Sequence, residues 1–196
     1  SSVEKAFNFK SDFQINKDFI KSSLTFNYRN YYKTNRQYNV RIFAGKFFKN
    51  NTTDDYFSFS SFRARDYLFG SNLLGRSENS GFYSQQYIGS EGGFKSKINY
   101  EYANDYIISL NSGITVWQWI EGYTGISAIK NLNEDLNFQY ESGIRLNLFT
   151  DYFELYLPIY SSLGNELNQY NYLSKIRFKI SLDPDTLSGL FTRRWF

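Results

Sequence analysis

Apolar and polar residues alternate without a break from Asp135 to Leu148. Leu136, Phe138, Tyr140, Ile144, Leu146 and Leu148 fall on even positions, with Ser142 among them. Asn137, Gln139, Glu141, Gly143, Arg145 and Asn147 fall on odd ones. Side chains alternate faces along a strand, so the pattern predicts one long strand with an apolar side and a polar side. At about 3.3 Å per residue it reaches roughly 40 Å, long for a soluble strand and suited to a tilted membrane crossing. The even set is expected to face lipid. The odd set, with Gln139, Glu141 and Arg145, is expected to line a lumen.

The same period recurs along the chain. Phe7, Phe9, Phe13 and Ile15 alternate with Asn8, Lys10, Asp12 and Gln14, and Asn16-Lys17-Asp18 has the length of a hairpin turn. A second strand is centred on Leu24 to Tyr28, and a third runs from Tyr38 to Phe48. Tyr56 to Arg65 and Phe82 to Ile88 read as a fourth and a fifth. Asp66 to Ser80 has no clean period and reads as a long ordered loop. Phe94 to Ala103 alternates strictly, and its Lys95, Lys97 and Glu101 join the expected lumen lining. Tyr106 to Gln118, Thr124 to Lys130, Phe153 to Ile159 and Tyr172 to Leu182 complete the set. Trp117 and Trp119 stand where interface anchors would.

Short turns follow Ile15, Ala103, Lys130 and Leu148, and longer links precede Tyr56, Phe82 and Tyr172. Membrane barrels of up-and-down topology show this asymmetry and take an even strand count. The predicted fold is therefore all-β: an antiparallel up-and-down transmembrane β-barrel of about 12 strands, complete or part of a larger one. It spans residues 1–182. Residues 183–196 read as a short amphipathic helix. Asp183 stands at its N-cap, Pro184 in its first turn, and Leu187, Leu190 and Phe191 form its stripe.

Composition sharpens this picture. Tyr (18) and Phe (20) dominate, and aromatics are 21% of the 196 residues, about twice the usual share. Mean hydropathy is nevertheless −0.52, and no run approaches the ~20 apolar residues of a spanning helix. Barrels reconcile the two, because only alternate residues meet lipid. Lys plus Arg is 22 against 19 for Asp plus Glu; the net charge of +3 is too small and too scattered to predict a nucleic-acid partner. With neither Cys nor His, disulfides, thiolate sites, imidazole bases and HExxH-type zinc sites are excluded within these residues. No catalytic residue, cofactor or metal ligand is predicted.

The charged groups have a sharper and a plainer reading. Glu141, Arg145, Lys95, Lys97 and Glu101 could form a charged channel lining. The plainer alternative is a hydrated lumen whose charges compensate one another. Arg63, Arg65, Asp66, Arg76 and Glu78 could make an interaction site on the long loop, or an internal salt-bridge network that packs it. Asp54-Asp55 and Glu134-Asp135 sit in turns without an apolar pocket to raise a carboxyl pKa, so solvated turns are expected there.

Several stretches together carry a resemblance. Asp66-Tyr67-Leu68-Phe69-Gly70, Leu74-Gly75-Arg76-Ser77-Glu78 and Glu91-Gly92-Gly93-Phe94-Lys95 belong to it. So do Glu141-Ser142-Gly143-Ile144, the run Phe153 to Tyr160, and Lys175-Ile176-Arg177-Phe178-Lys179. They resemble the C-terminal β-barrel region of outer-membrane-associated, gluzincin-type (aminopeptidase-like) zinc metallopeptidases of Gram-negative bacteria, over residues 66 to 182. The resemblance implies a membrane-embedding module, with the zinc site and further barrel strands upstream.

The expected function is thus a bacterial outer-membrane module that anchors a larger protein or assembly. Its partners would be the lipid bilayer, the barrel-assembly machinery and other outer-membrane or periplasmic subunits. The alternatives are a porin-like channel, a soluble β-barrel ligand binder and, against the absence of His, an outer-membrane enzyme barrel.

Overall fold

Seven long strands arise where the period of two is sustained, and most end at Asn, Asp or Lys residues. The computed structural model describes residues 5–33, 36–63, 81–149 and 152–180, with the side chains of 148 and 149 excepted. In chain order the long strands are β1 (Lys5–Ile15), β2 (Phe19–Lys33), β3 (Arg36–Asn50), β6 (Tyr106–Trp117), β7 (Ile120–Lys130), β8 (Asn137–Phe149) and β9 (Phe153–Ser161). Short strands are β4 (Phe59–Ser60), β5 (Tyr102–Ala103), β10 (Gly164–Asn165) and β11 (Arg177–Ile180). The main sheet is antiparallel with order β1-β2-β3-β6-β7-β8-β9, and both β10 and β11 pair with β9. β4 and β5 make a separate two-stranded pair. No pairing closes the main sheet on itself among the described residues.

Register fixes two opposite faces. Phe9, Phe26, Ile42, Leu110, Ile126 and Tyr140 stand opposite one another in a single row across β1, β2, β3, β6, β7 and β8. All six are exposed. The neighbouring row contains Leu24, Ala44, Ile108, Ala128 and Phe138. The opposite face carries Asn27, Arg41, Asn111, Gly125, Glu141 and Ser161 in one row. The polarity is inverted relative to a water-soluble domain: Phe138 is 73% exposed and its neighbour Gln139 only 6%.

What covers the polar face is the connection between β3 and β6. These strands pair directly, Tyr38 to Ile114 and Lys46 to Tyr106, yet residues 51–105 lie between them in sequence. The described part of this insert lies against the polar face. Its apolar side chains build the core at one end of the sheet, where Phe59, Phe94, Ile98 and Ala103 meet Phe19, Phe43, Phe47, Ile107 and Ile129. Phe59 sits edge-on to Phe43 and Phe47, with ring centroids 5.8 and 5.1 Å away.

Three predicted strands are corrected here. The described part of Tyr56 to Arg65, residues 56–63, yields only Phe59–Ser60, and Phe82 to Ile88 yields a 3-10 helix, Phe82–Gln85. Phe94 to Ala103 yields only Tyr102–Ala103. Phe94 and Lys95 are adjacent and both buried, which a two-faced strand forbids. Among the described residues the main sheet has nine strands. Tyr172 to Leu182 gives a 3-10 turn, Tyr172–Lys175, followed by β11. Pro158 lies within β9, beside the register shift between Ser142 and Gly143, a place where a missing N–H is tolerated. The expected loop from Asp66 to Ser80 and the expected helix of residues 183–196 lie outside the described residues.

Candidate functional site

The polar face is divided into zones by what each strand delivers to it. Next to the aromatic core, Lys21 of β2 lies over the rings of Phe19, Phe47 and Phe59, 5.5, 5.5 and 5.1 Å from their centroids. Its ammonium donates to the Phe57 carbonyl at 2.6 Å. A cation buried among ring faces keeps part of its lost hydration through the ring quadrupoles.

Glu141 of β8 occupies the middle. Its carboxylate accepts the backbone N–H of Lys95 at 2.9 Å and that of Ser96 at 2.7 Å. The Lys95 ammonium stands 3.8 Å from Glu141 Oε1 and donates to the Gly93 carbonyl at 2.7 Å. Tyr87, Tyr123 and Tyr156 enclose it, with ring centroids 5.4, 5.5 and 5.7 Å away. Burial lowers the Lys95 pKa from 10.5 to about 8, against the pull of Glu141, while Arg145 and Arg41 push the same way as burial. Burial likewise raises the Tyr87 phenol. Beside this pair, Arg41 Nη1 donates to the Glu91 carbonyl at 2.8 Å and Asn111 Nδ2 to the Gly92 carbonyl at 2.9 Å. Strand side chains thus hold the insert by its backbone, in place of a strand ladder.

Gly93 is required at this point. Its φ is +76°, and a Cβ there would lie 2.6 Å from Asn111 Nδ2 and 2.9 Å from Arg41 Nη1.

At the far end Glu121 of β7 collects four donors from three strands, β3, β6 and β8. It accepts from Arg145 Nε at 2.6 Å, Gln37 Nε2 at 2.9 Å, Thr115 Oγ1 at 3.1 Å and Asn147 Nδ2 at 3.2 Å. Arg145 also reaches Glu154 at 3.7 Å, and Lys179 and the Tyr156 hydroxyl complete that carboxylate's partners.

The expected lumen residues therefore divide. Gln139, Glu141 and Arg145 do point to the covered face from β8, and Glu141 and Arg145 join different networks. Lys95 reaches Glu141 from the insert and not from a strand. Lys97 and Glu101 lie apart from both, on a cleft of about 640 Å³ whose lining also includes Arg63, Gln85 and Arg177. Arg177 is oriented there by donating to the Lys95 and Ser84 carbonyls at 3.3 and 2.7 Å. Of the expected loop cluster only Arg63 is described; Arg65, Asp66, Arg76 and Glu78 lie outside the described residues. On the other face Leu136, Phe138 and Tyr140 are exposed and Ile144 and Leu146 half-buried; Leu148's side chain lies outside the described set.

Sequence reasoning missed Glu121, Glu154 and the three tyrosines. Parity within β7 and β9 was available as a signal for Glu121, Tyr123, Glu154 and Tyr156, whereas Tyr87 lies in the insert and carries no such signal. The carboxylates Glu121, Glu141 and Glu154 are each matched by cations or N–H donors, an arrangement that holds structure and leaves no free base. Among the described residues no three acidic side chains converge as a metal site. No family model, curated protein or solved structure matches the chain.

Proposed function

We propose that this chain is an outer-membrane β-barrel module, or the greater part of one, that anchors a larger protein or assembly and whose lumen is filled by its own insert. The observation that carries the reading is the inverted polarity of the sheet. Leaving about a dozen half-exposed Phe, Ile and Leu side chains in water would forfeit roughly 10–20 kcal/mol, as much as a domain's entire net stability. Lipid removes that penalty. It also demands that spanning backbone be paired strand to strand, as in a barrel. Trp117 and Trp119 flank the β6–β7 turn and are exposed, as residues at a headgroup boundary are.

The insert favours an anchor over a channel. Residues that would bathe an aqueous pore instead bond Lys95, Ser96, Gly92 and Glu91. The resemblance of residues 66 to 182 supports a metallopeptidase as the anchored partner. In that reading the catalytic zinc site lies elsewhere in a longer polypeptide.

The test is refolding with and without an amphiphile. Far-UV dichroism should report sheet only in detergent micelles or phosphatidylcholine vesicles, and planar bilayers should show no steady conductance. A monomer folded in plain buffer would overturn the reading, and stable open-channel currents would overturn the filled lumen.

A further inference from the structure

We propose that the cleft between the insert and the segment Leu173 to Arg177 binds a water-soluble phosphate monoester carried on a hydroxyl-bearing body, in its simplest form a sugar phosphate.

The cleft gathers positive charge from two segments far apart in sequence. Arg63 and Lys97 come from the insert and Arg177 from β11, and the lining holds one carboxylate against these three cations, that of Glu101. Arg177 stands in a polar row of the main sheet, opposite Tyr156, which stands opposite Arg145. Backbone carbonyls fix its guanidinium, Nε donating to Lys95 and Nη1 to Ser84. Both acceptors are neutral, so these bonds aim the charge without cancelling it. Elsewhere on the polar side each buried carboxylate has its cation: Glu141 has Lys95, Glu121 has Arg145, Glu154 has Lys179 and Glu166 has Lys175. Neither Arg177 nor Lys97 takes part in an ion pair among the described residues. The cleft is thus the place where compensation fails, and it fails toward positive charge. A phosphate monoester brings about −1.5 to −2 at neutral pH, and guanidinium and ammonium groups are its usual partners.

Space and the remaining lining define the rest of the ligand. The cleft holds about 640 Å³, within the roughly 300–1,000 Å³ of small-molecule sites. A water takes about 30 Å³, and a bare phosphate ion is only a few times larger, so it would leave most of the cleft open. The phosphate is therefore one end of a larger molecule. An ionised carboxylate only accepts hydrogen bonds, so Glu101 calls for a donor at the other end. An ammonium there would face Lys97 and both arginines, whereas a hydroxyl meets no such repulsion. Phe62 and Leu173 add apolar surface to the same lining, suited to the C–H face of a sugar ring. The cleft lies on the side of the sheet that the insert covers, opposite the exposed apolar rows. A headgroup tethered to acyl chains stays with those rows, so the ligand is a free solute.

The test uses the full chain folded in polyoxyethylene detergent micelles, which carry neither phosphate nor sugar. Glucose phosphorylated on its primary hydroxyl should shift its phosphorus resonance saturably, with a dissociation constant below about 1 mM. Inorganic phosphate should bind about tenfold more weakly, and glucose should not compete. Lys97 is exposed, so Lys97→Glu keeps the fold and should weaken both phosphates by about tenfold or more. Lys17→Glu, in an exposed turn outside the cleft, should leave both affinities unchanged. Glu101→Gln gives the deciding split: the sugar phosphate should bind more weakly and inorganic phosphate more tightly, a pair of effects that loss of structure cannot produce. The proposal is overturned by the absence of a saturable shift, by equal losses in Lys17→Glu and Lys97→Glu, or by a Glu101→Gln effect of one sign on both phosphates. A chain that folds without micelles would overturn the membrane reading instead, and the same titrations would still decide the site.

Discussion

Glu141 accepts two backbone N–H groups from the insert and faces the Lys95 ammonium in the tyrosine enclosure, so one side chain couples sheet and insert. Removing it strands the Lys95 charge in a buried site. Glu141→Ala should therefore destabilise the folded chain by about 3–5 kcal/mol, read from urea unfolding in micelles. Lys95 adds a pH dependence. Its folded pKa of about 8 lies below the ordinary 10.5, so between those values the unfolded chain binds more protons than the folded one. Stability should rise with pH across that window, the increment being absent below pH 8 and complete above 10.5. Lys95→Met should flatten this rise in the same titration. Gly93→Ala meets both a positive φ and the Asn111 and Arg41 side chains. It should cost about 1–3 kcal/mol, and far more than Gly89→Ala, whose Cβ would meet open space.

Among the elements, the long strands were legible and the insert was not. β8 could be read from Asp135 to Leu148 because a period of two over that length has no helical alternative, and its polar set lies on the face that the insert covers. β1, β2, β3, β6, β7 and β9 follow for the same reason. Phe94 to Ala103 shows the limit. Phe94 and Ile98 are buried in the core, while Lys95 between them turns to Glu141. An irregular segment whose neighbours are buried for opposite reasons produces the same alternation as a strand. The site was half legible: Glu141 and Arg145 came from parity alone, but their partners come from β7, β9 and the insert, which parity does not bring together. The insert's hold is testable at its core. Phe94, fully buried, should on truncation to Ala lose about 3–5 kcal/mol. Protease sensitivity should then appear within residues 51–105 before it appears in β6 to β9.

Outside the aromatic core at one end, the described sheet is inside out in its burial. The wide apolar surface made by the rows through Phe9 to Tyr140 and Leu24 to Phe138 is the side turned away from the insert, and the charges are packed where a soluble domain keeps its hydrocarbon. Soluble monomers rarely gather so many exposed Phe, Ile and Leu side chains on one face. The insert also changes what the polar side should report: Gln139 is covered by protein, not bathed by a pore. The most direct measurement is nitroxide accessibility on β8 in phosphatidylcholine vesicles. Labels at Phe138 and Ile144 should be relaxed by oxygen dissolved in the lipid. A label at Gln139 should be shielded from that oxygen and, while the insert is seated, from water-soluble nickel chelate as well. Chelate access at Phe138 and Ile144 together with oxygen access at Gln139 would contradict the account.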